Sequence, residues 1–279
     1  MNLGNKTVVL TGASGGLGQA IAKQLAANGA RLILIGRNES ALDHLLDGLA
    51  SDARHHCKLK IDLGSEAGIN ELTSFCNDLP EGIDVLVNNA GISEFALLED
   101  SSSQSINKIF FVNLIAPVIL TSNLLPLLRQ KPETLIVNTG SVLGAIGNPG
   151  FTTYCASKSG LARFSEALRR ELADSTVNVI HLNPRATATN MNSDTVNELN
   201  RSLGNNTDLP DQVAQVLVNK INKDDFGESS VGWPEKFFVK INALMPRLVD
   251  SAFVKNLPLI KQSAKSVKET SETATEGPV

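Results

Sequence analysis

Tyr154 and Lys158 stand four residues apart in Tyr154-Cys155-Ala156-Ser157-Lys158, a spacing that puts both on one face of a helix. A free phenol has a pKa of about 10, too high for efficient proton exchange at neutral pH. A neighbouring ammonium favours the phenolate, so the pair could run acid–base chemistry. Ser141 can hold a carbonyl or alcohol oxygen beside that phenol. Tyr154 is the only tyrosine in the 279 residues. The plain alternative is a tyrosine–lysine pair on a helix surface. It loses ground because an apolar strand ending in Asn138-Thr139-Gly140-Ser141 comes just before.

A second constellation lies near the start of the chain. Thr11-Gly12-Ala13-Ser14-Gly15-Gly16-Leu17-Gly18 follows the first apolar run and opens a helical stretch. Glycines there let the backbone turn tightly and approach a pyrophosphate. The helix start offers unpaired N–H groups and a favourable dipole to its negative charge. A glycine-rich turn alone also fits a simple cap. There is no Gly-Lys-Ser/Thr ending, which argues against a nucleoside-triphosphate loop. The second strand ends Ile35-Gly36-Arg37-Asn38, where an NAD-preferring site usually offers an acid to the ribose. The Arg37 guanidinium could instead pair with a 2′-phosphate, which favours NADP, although Glu39 is close by.

Taken together, the motifs resemble the short-chain dehydrogenase/reductase family, from about Lys6 to about Thr189. The shared elements are Thr11-Gly12-x-x-x-Gly16-x-Gly18, Asp62-Leu63, Asn88-Asn89-Ala90-Gly91, Asn113, Ser141 and Tyr154-x-x-x-Lys158, in that order. The resemblance implies that Tyr154 is the general acid in reduction and the base in oxidation. It implies that Lys158 lowers the tyrosine pKa and binds the nicotinamide ribose, and that Ser141 orients the substrate oxygen. Asn113 is similar to the family residue that supports a water between Lys158 and solvent. Asp62 and Leu63 are expected near the adenine, with Asn89, Ala90 and Gly91 lining the cofactor cleft beside Gly12, Ser14, Gly16, Leu17 and Gly18. No metal is required.

One stretch departs from the family. Where Pro-Gly-x-Val-x-Thr is common, this chain reads Pro184-Arg185-Ala186-Thr187-Ala188-Thr189. Pro184, Thr187 and Thr189 keep the cofactor contacts that the resemblance implies. Arg185 replaces a glycine. Either it sits in a left-handed conformation at a cost of roughly 1 kcal/mol, or its side chain points at an anionic substrate group or the cofactor.

These residues need a scaffold, and the chain supplies an α/β rhythm. Short, nearly all-apolar strands are expected at Thr7–Leu10, Arg31–Ile35, Lys58–Ile61, Val85–Val87, Thr134–Asn138 and Val177–Leu182. Between them lie helical stretches at Leu17–Asn28, Glu39–Ala50, Ala67–Leu79, Ser103–Leu128 and Thr153–Ala173. Strands without polar alternation belong to a parallel sheet covered on both faces. The expected fold is a single-domain, doubly wound, Rossmann-like parallel sheet with a C-terminal helical extension. The reading puts this domain at residues 1–262. Within it, a substrate flap spans 190–210, with a short helix near Val196–Leu203, and the extension spans 233–262. A disordered Ser/Thr/Glu-rich tail is expected at 263–279.

Bulk properties exclude several other classes. The net charge of −4 gives no basic stripe for nucleic acid. Cys57, Cys76 and Cys155 form neither a disulfide framework nor a zinc pair, and read as partly buried free thiols. His44, His55, His56 and His181 lack metal-site spacing, and His55-His56 reads as a solvated loop end. Met1–Lys6 is short and polar, and no stretch of about 20 apolar residues is read from the sequence. The expected location is the cytoplasm.

The functional reading is an NADP-preferring oxidoreductase, with NAD possible, that moves a hydride between nicotinamide and a carbonyl/secondary alcohol pair. The rival readings are a cofactor-binding sensor or scaffold without turnover, and an NAD(P)-dependent epimerase or dehydratase. Val142–Phe151 and Met191–Leu203 form the expected substrate wall, with Leu143, Ile146, Phe151 and Met191 making it apolar. Family resemblance implies a homodimer or homotetramer. Residues 233–261 interleave Trp233, Phe237, Phe238, Leu244, Leu248, Phe253 and Leu257 with Lys236, Lys240, Arg247, Lys255 and Lys261. Core cover, pocket lining and subunit contact are the plain uses of that stretch, and peripheral membrane contact is the alternative.

Overall fold

A computed structural model describes residues 1–49, 55–189 and 191–275. Seven strands, β1 (Thr7–Thr11), β2 (Arg31–Gly36), β3 (Cys57–Lys60), β4 (Val85–Asn88), β5 (Thr134–Thr139), β6 (Val177–Asn183) and β7 (Gly227–Ser230), form one parallel sheet in the order β3-β2-β1-β4-β5-β6-β7. The order reverses between β1 and β4. In such sheets ligands bind beyond the carboxyl ends of the strands at that reversal.

Alternate residues of each central strand face opposite helical layers. Val8, Leu10, Leu32, Leu34, Val85, Val87, Leu135 and Val137 pack on α1 (Gly16–Ala27), α2 (Glu39–Leu49) and α8 (Pro210–Asn222). Val9, Ile33, Ile35, Leu86 and Ile136 face the other way, onto α3 (Glu66–Asn77), α5 (Ala116–Leu128) and α6 (Thr152–Glu171). Burial on both faces is why these strands carry continuous apolar runs. The expected fold class is the one observed.

Local chemistry fixes the helix starts. Ser65 caps α3 by accepting from the Gly68 N–H at 3.2 Å. Ser102 caps α4 (Ser103–Phe110) and Ser193 caps α7 (Asp194–Ser202) in the same way. The Ser103–Leu128 stretch, expected as one helix, is α4, a π-helical turn at Phe111–Ile115, and α5. Contrary to the sequence expectation, this 26-residue run is apolar and long enough to cross a bilayer. In the fold its Ala116, Leu120, Leu124 and Leu128 side chains are spent in the core on the sheet.

The structure departs from the sequence reading at three further places. The α8 helix and β7 have no counterpart in that reading. β7 is Gly-Glu-Ser-Ser, a polar edge strand without the apolar run that marked the others. The flap helix α7 begins two residues before the expected Val196. The extension is α9 (Glu235–Leu244) and then α10, which runs from Pro246 to Thr275. Ser263–Thr275 is therefore helical rather than a disordered tail, and Ile260 and Ala264 anchor its approach to α7. Residues 276–279, Asn190 in the expected flap and Ala50 in the expected second helix lie outside the described residues.

Candidate active site

The glycine loop leaves β1 at the sheet's reversal and enters α1. Gly12 has φ +66°, and a Cβ there would lie 2.8 Å from the Ala90 backbone. A Cβ on Gly18 would meet the Gly12 carbonyl at 2.1 Å. A side chain fits at neither position. Gly15 caps α1 with no side-chain hydrogen bond, so the first N–H groups stay available to an anion. The loop thus has the open donors and glycine cradle that a dinucleotide pyrophosphate needs. Ser14 packs against Gly36, where its Oγ would be 2.7 Å from an added Cβ, and Leu17 is half-buried against the core.

Thr11 ties this loop to the end of β4. Its hydroxyl accepts the N–H groups of Asn89 and Ala90 at 2.9 and 3.0 Å and donates to the Val87 carbonyl at 3.2 Å. The Asn89 amide donates back to the Thr11 and Gly12 carbonyls at 3.1 and 3.3 Å. The Asn89-Ala90-Gly91 segment therefore lies directly beside the glycine loop. Arg37 is exposed at the end of β2. Glu39 is turned to Lys58 and Lys60, and those ammonium groups pull its carboxyl below the usual range. Asp62 is exposed and accepts the Gly64 N–H at 2.9 Å, while Leu63 is buried next to it.

The chemical end of the site converges at the start of α6. Ser141 faces the Tyr154 phenol and favours its ionised form. Lys158 is buried, lies 5.8 Å from the Tyr154 ring centroid and donates from Nζ to the Thr139 carbonyl at 2.8 Å. The π turn delivers Asn113, fully buried, to the same place. Its amide donates to the Ile92 carbonyl at 2.9 Å and to Ser157 Oγ at 3.1 Å, and its oxygen accepts the Ile92 N–H at 2.8 Å. Gly91 sits between Asn113 and Lys158: an added Cβ would stand 3.3 Å from Asn113 Oδ1 and 3.5 Å from Lys158 Nζ.

The electrostatics differ from the expectation in one respect. Lys158 was expected to draw the tyrosine pKa down, yet burial pushes Tyr154 up to about 12, with Ser141 opposing it. Burial also pushes Lys158 down to about 8. Desolvation is the largest cause at both groups.

Sequence reasoning missed the layer behind Ser141. The Ser141 N–H donates to Asn183 Oδ1 at 3.1 Å, and Asn183 Nδ2 donates to Glu228 at 3.0 Å. A Cβ on Gly140 would come within 2.2 Å of Asn183 Oδ1 and 2.4 Å of His181 Nε2. A buried chain joins Thr121, Asn88, Asn138, Ser165 and His181 by contacts of 3.1, 2.9, 2.8 and 3.0 Å. The signal for it was the row of polar residues closing β4, β5 and β6, where apolar ones would otherwise continue.

The segment after β6 closes the site. Pro184 is buried, and its carbonyl accepts the Val142 N–H at 2.9 Å. Thr187 pairs with Asp208 as an isolated bridge, and Thr189 stands 3.1 Å from where a Gly16 Cβ would be. Arg185 is outside the left-handed region, so the strained-backbone reading falls. Its side chain pairs with Asp208 at 2.6 Å and donates to the Trp233 carbonyl at 3.1 Å, which is a structural use. Phe151 meets Tyr154 edge-on at 6.4 Å and stacks on Phe95 at 5.1 Å, next to Val196, Leu199 and Leu203 of the flap. Of the four residues expected to make the wall apolar, Phe151 joins this cluster with Phe95, Leu143 and Ile146 do not, and Met191 is exposed.

The short chain dehydrogenase family model matches residues 6–200. The chain belongs to the short-chain dehydrogenase/reductase family. It is an NAD(P)-dependent oxidoreductase. Among relatives, it is 30% identical over 259 residues to the ketoacyl reductase HetN of Nostoc sp., covering 90% of this chain and 89% of that one. A short chain dehydrogenase from Burkholderia cenocepacia, solved in complex with NADP, shares 26% identity at a TM-score of 0.72, covering 79% of this chain and 92% of that one. A Burkholderia phymatum short chain dehydrogenase/reductase solved with NAD superposes at a TM-score of 0.80 over 89% of this chain and 96% of that one, with 22% identity, and shows the fold alone.

Elsewhere the residues behave as structural parts. The three cysteines are free thiols. His56 accepts the Leu32 N–H through Nδ1 at 3.1 Å, so it ties the loop to β2. Among the described residues, no cluster of His, Cys, Asp and Glu could hold a metal.

Proposed function

We propose that the chain is an NADPH-preferring carbonyl reductase in which Tyr154 is the general acid. The observation that carries this is the convergence of Ser141, Tyr154 and buried Lys158 beside Gly91, on the cofactor side of an apolar wall. When bound, the nicotinamide supplies a hydride at C4. Ser141 and Tyr154 hold the carbonyl oxygen, and the Tyr154 hydroxyl gives that oxygen its proton as the carbon accepts the hydride. Lys158 steadies the phenolate left behind. Asn113 acts as a positioning residue: its amide is engaged by Ile92 and Ser157, which fixes Gly91 and the lysine relative to each other.

Support for NADPH comes from the end of β2. Arg37 is exposed there, and the acid that could have served an NAD ribose, Glu39, is held by Lys58 and Lys60. A guanidinium fork suits a 2′-phosphate. The name of the Nostoc relative and the Phe95–Phe151 wall together favour a ketoacyl substrate, its chain lying along the aromatic rings. Assembly as a homodimer or homotetramer and a cytoplasmic location belong to the same reading.

The test is nicotinamide absorbance with NADPH and NADH against acetoacetyl-CoA and a panel of simpler ketones, with Tyr154→Phe as control. NADPH-dependent turnover is expected, falling roughly 10²–10⁴-fold in Tyr154→Phe. Turnover that survives unchanged in Tyr154→Phe would overturn the proton-donor role. Tight NADPH binding with no net oxidation on any substrate, in either direction, would favour a sensor or an epimerase.

A further inference from the structure

The extension leaves an unusual surface. Among the described residues, eight of the twelve exposed large hydrophobic side chains fall between Trp233 and Leu259: Trp233, Phe237, Phe238, Leu244, Met245, Leu248, Val254 and Leu259. Trp233 is 71% exposed and Leu244 82%. The aromatic residues touch one another, with centroid separations of 6.0 Å for Trp233–Phe237 and 6.4 Å for Phe237–Phe238. The three rings form one patch, with the exposed apolar residues of the α9–α10 elbow following in the chain, and a contiguous apolar patch marks an interaction site.

Its charge is opposite to that of the rest of the molecule. Residues 233–261 hold five basic and two acidic side chains, a net of +3, while the chain as a whole carries −4. Lys240, Arg247, Lys255 and Lys261 are exposed among the apolar residues. The inward side of α10 is already used, since Ile260 and Ala264 pack with Val196, Leu199 and Phe95. Asn242 fastens α9 to the loop after Ser141 through a 2.9 Å hydrogen bond to the Ala145 carbonyl. The exposed side therefore projects from a fixed position next to the cleft.

We propose that the α9–α10 elbow is a membrane-docking surface that seats in the headgroup region of an anionic bilayer. Exposed aromatic and leucine side chains enter the interface, and the lysines and arginine meet lipid phosphates. Charge decides for lipid over a second copy. A two-fold contact sets the same patch against itself, and a patch with this excess of cations repels its own image. Anionic headgroups neutralise it. The docked chain would hold the mouth of its cleft at the lipid surface, and this does not depend on which carbonyl is reduced.

Trp233 is the only tryptophan, so intrinsic fluorescence reads the patch directly. The full chain is mixed with phosphatidylcholine vesicles, with and without phosphatidylglycerol, and followed by tryptophan emission and co-sedimentation. A blue shift and pelleting with the anionic vesicles are expected, both weakened by salt. Phe237→Ser/Phe238→Ser and, separately, Lys240→Glu/Arg247→Glu should each lower vesicle affinity by about tenfold or more while leaving NADPH binding and the melting temperature unchanged. An unshifted emission maximum with no pelleting would overturn the proposal. So would self-association in sedimentation velocity that these substitutions abolish without any vesicle binding, because a second copy would then cover the patch.

Discussion

Arg185 and Asp208 form a 2.6 Å ion pair that bridges the exit of β6 to the far end of the flap. Both side chains are largely out of water, at 15% and 10% exposure. Removing one partner of a fully buried pair costs about 3–5 kcal/mol, and with this residual exposure about 2 kcal/mol is expected. Asp208→Ala should lower the melting temperature by roughly 5 °C and raise the KM for cofactor, since Thr187 and Thr189 lie on the tethered segment. A double-mutant cycle with Arg185→Met checks it. If the pair matters as a pair, the double variant is less damaged than the sum of the single ones.

Arg37→Ala should reduce kcat/KM for NADPH by roughly 10- to 100-fold, the effect of losing a charged hydrogen bond of about 1.5–3 kcal/mol. Values for NADH should move little. Steady-state kinetics with both cofactors measure the split, and equal losses with the two would assign Arg37 a purely structural part.

His181 makes stability depend on pH. Burial, aided by Lys158 and opposed by the Asn183 side chain, pushes its pKa from the usual 6.5 down to about 4. Between those values the unfolded chain binds more protons than the folded one. Stability from this group is therefore complete above about pH 6.5 and is lost progressively as the pH falls toward 4, up to about 3 kcal/mol. Denaturant melts at neutral and mildly acidic pH should show the loss. His181→Gln should flatten that part of the profile even if it lowers the plateau.

Gly140→Ala places a methyl group against Asn183 and His181 and should cost about 1–3 kcal/mol. Because Ser141 is next in the chain and leans on Asn183, kcat should fall further than stability does. Gly48→Ala in α2 is the control: nothing lies within 4 Å of its Cβ, and a gain of about 0.5–1 kcal/mol is expected. Comparable kcat losses in both variants would sink the steric account.

Much of the site was legible because its parts are local. The glycine loop must follow a strand and open a helix, and Tyr154 and Lys158 must share a helical turn, so spacing alone exposes them. The strands were equally legible, since burial on both faces leaves no room for polar alternation. β7 escaped because an edge strand can be polar.

What remained hidden depends on distant partners. The sequence by itself determined the parallel α/β framework, the order of the motifs and the residues that could exchange a proton, all set by short-range periodicity and residue chemistry. Only the tertiary structure decided that Arg185 turns to Asp208, that Asn183 backs Ser141 from 42 positions away, and that residues 263–275 continue a helix instead of fraying. Those outcomes rest on which surfaces meet after folding. Burial, not sequence spacing, likewise sets Tyr154 above and Lys158 below their ordinary pKa values.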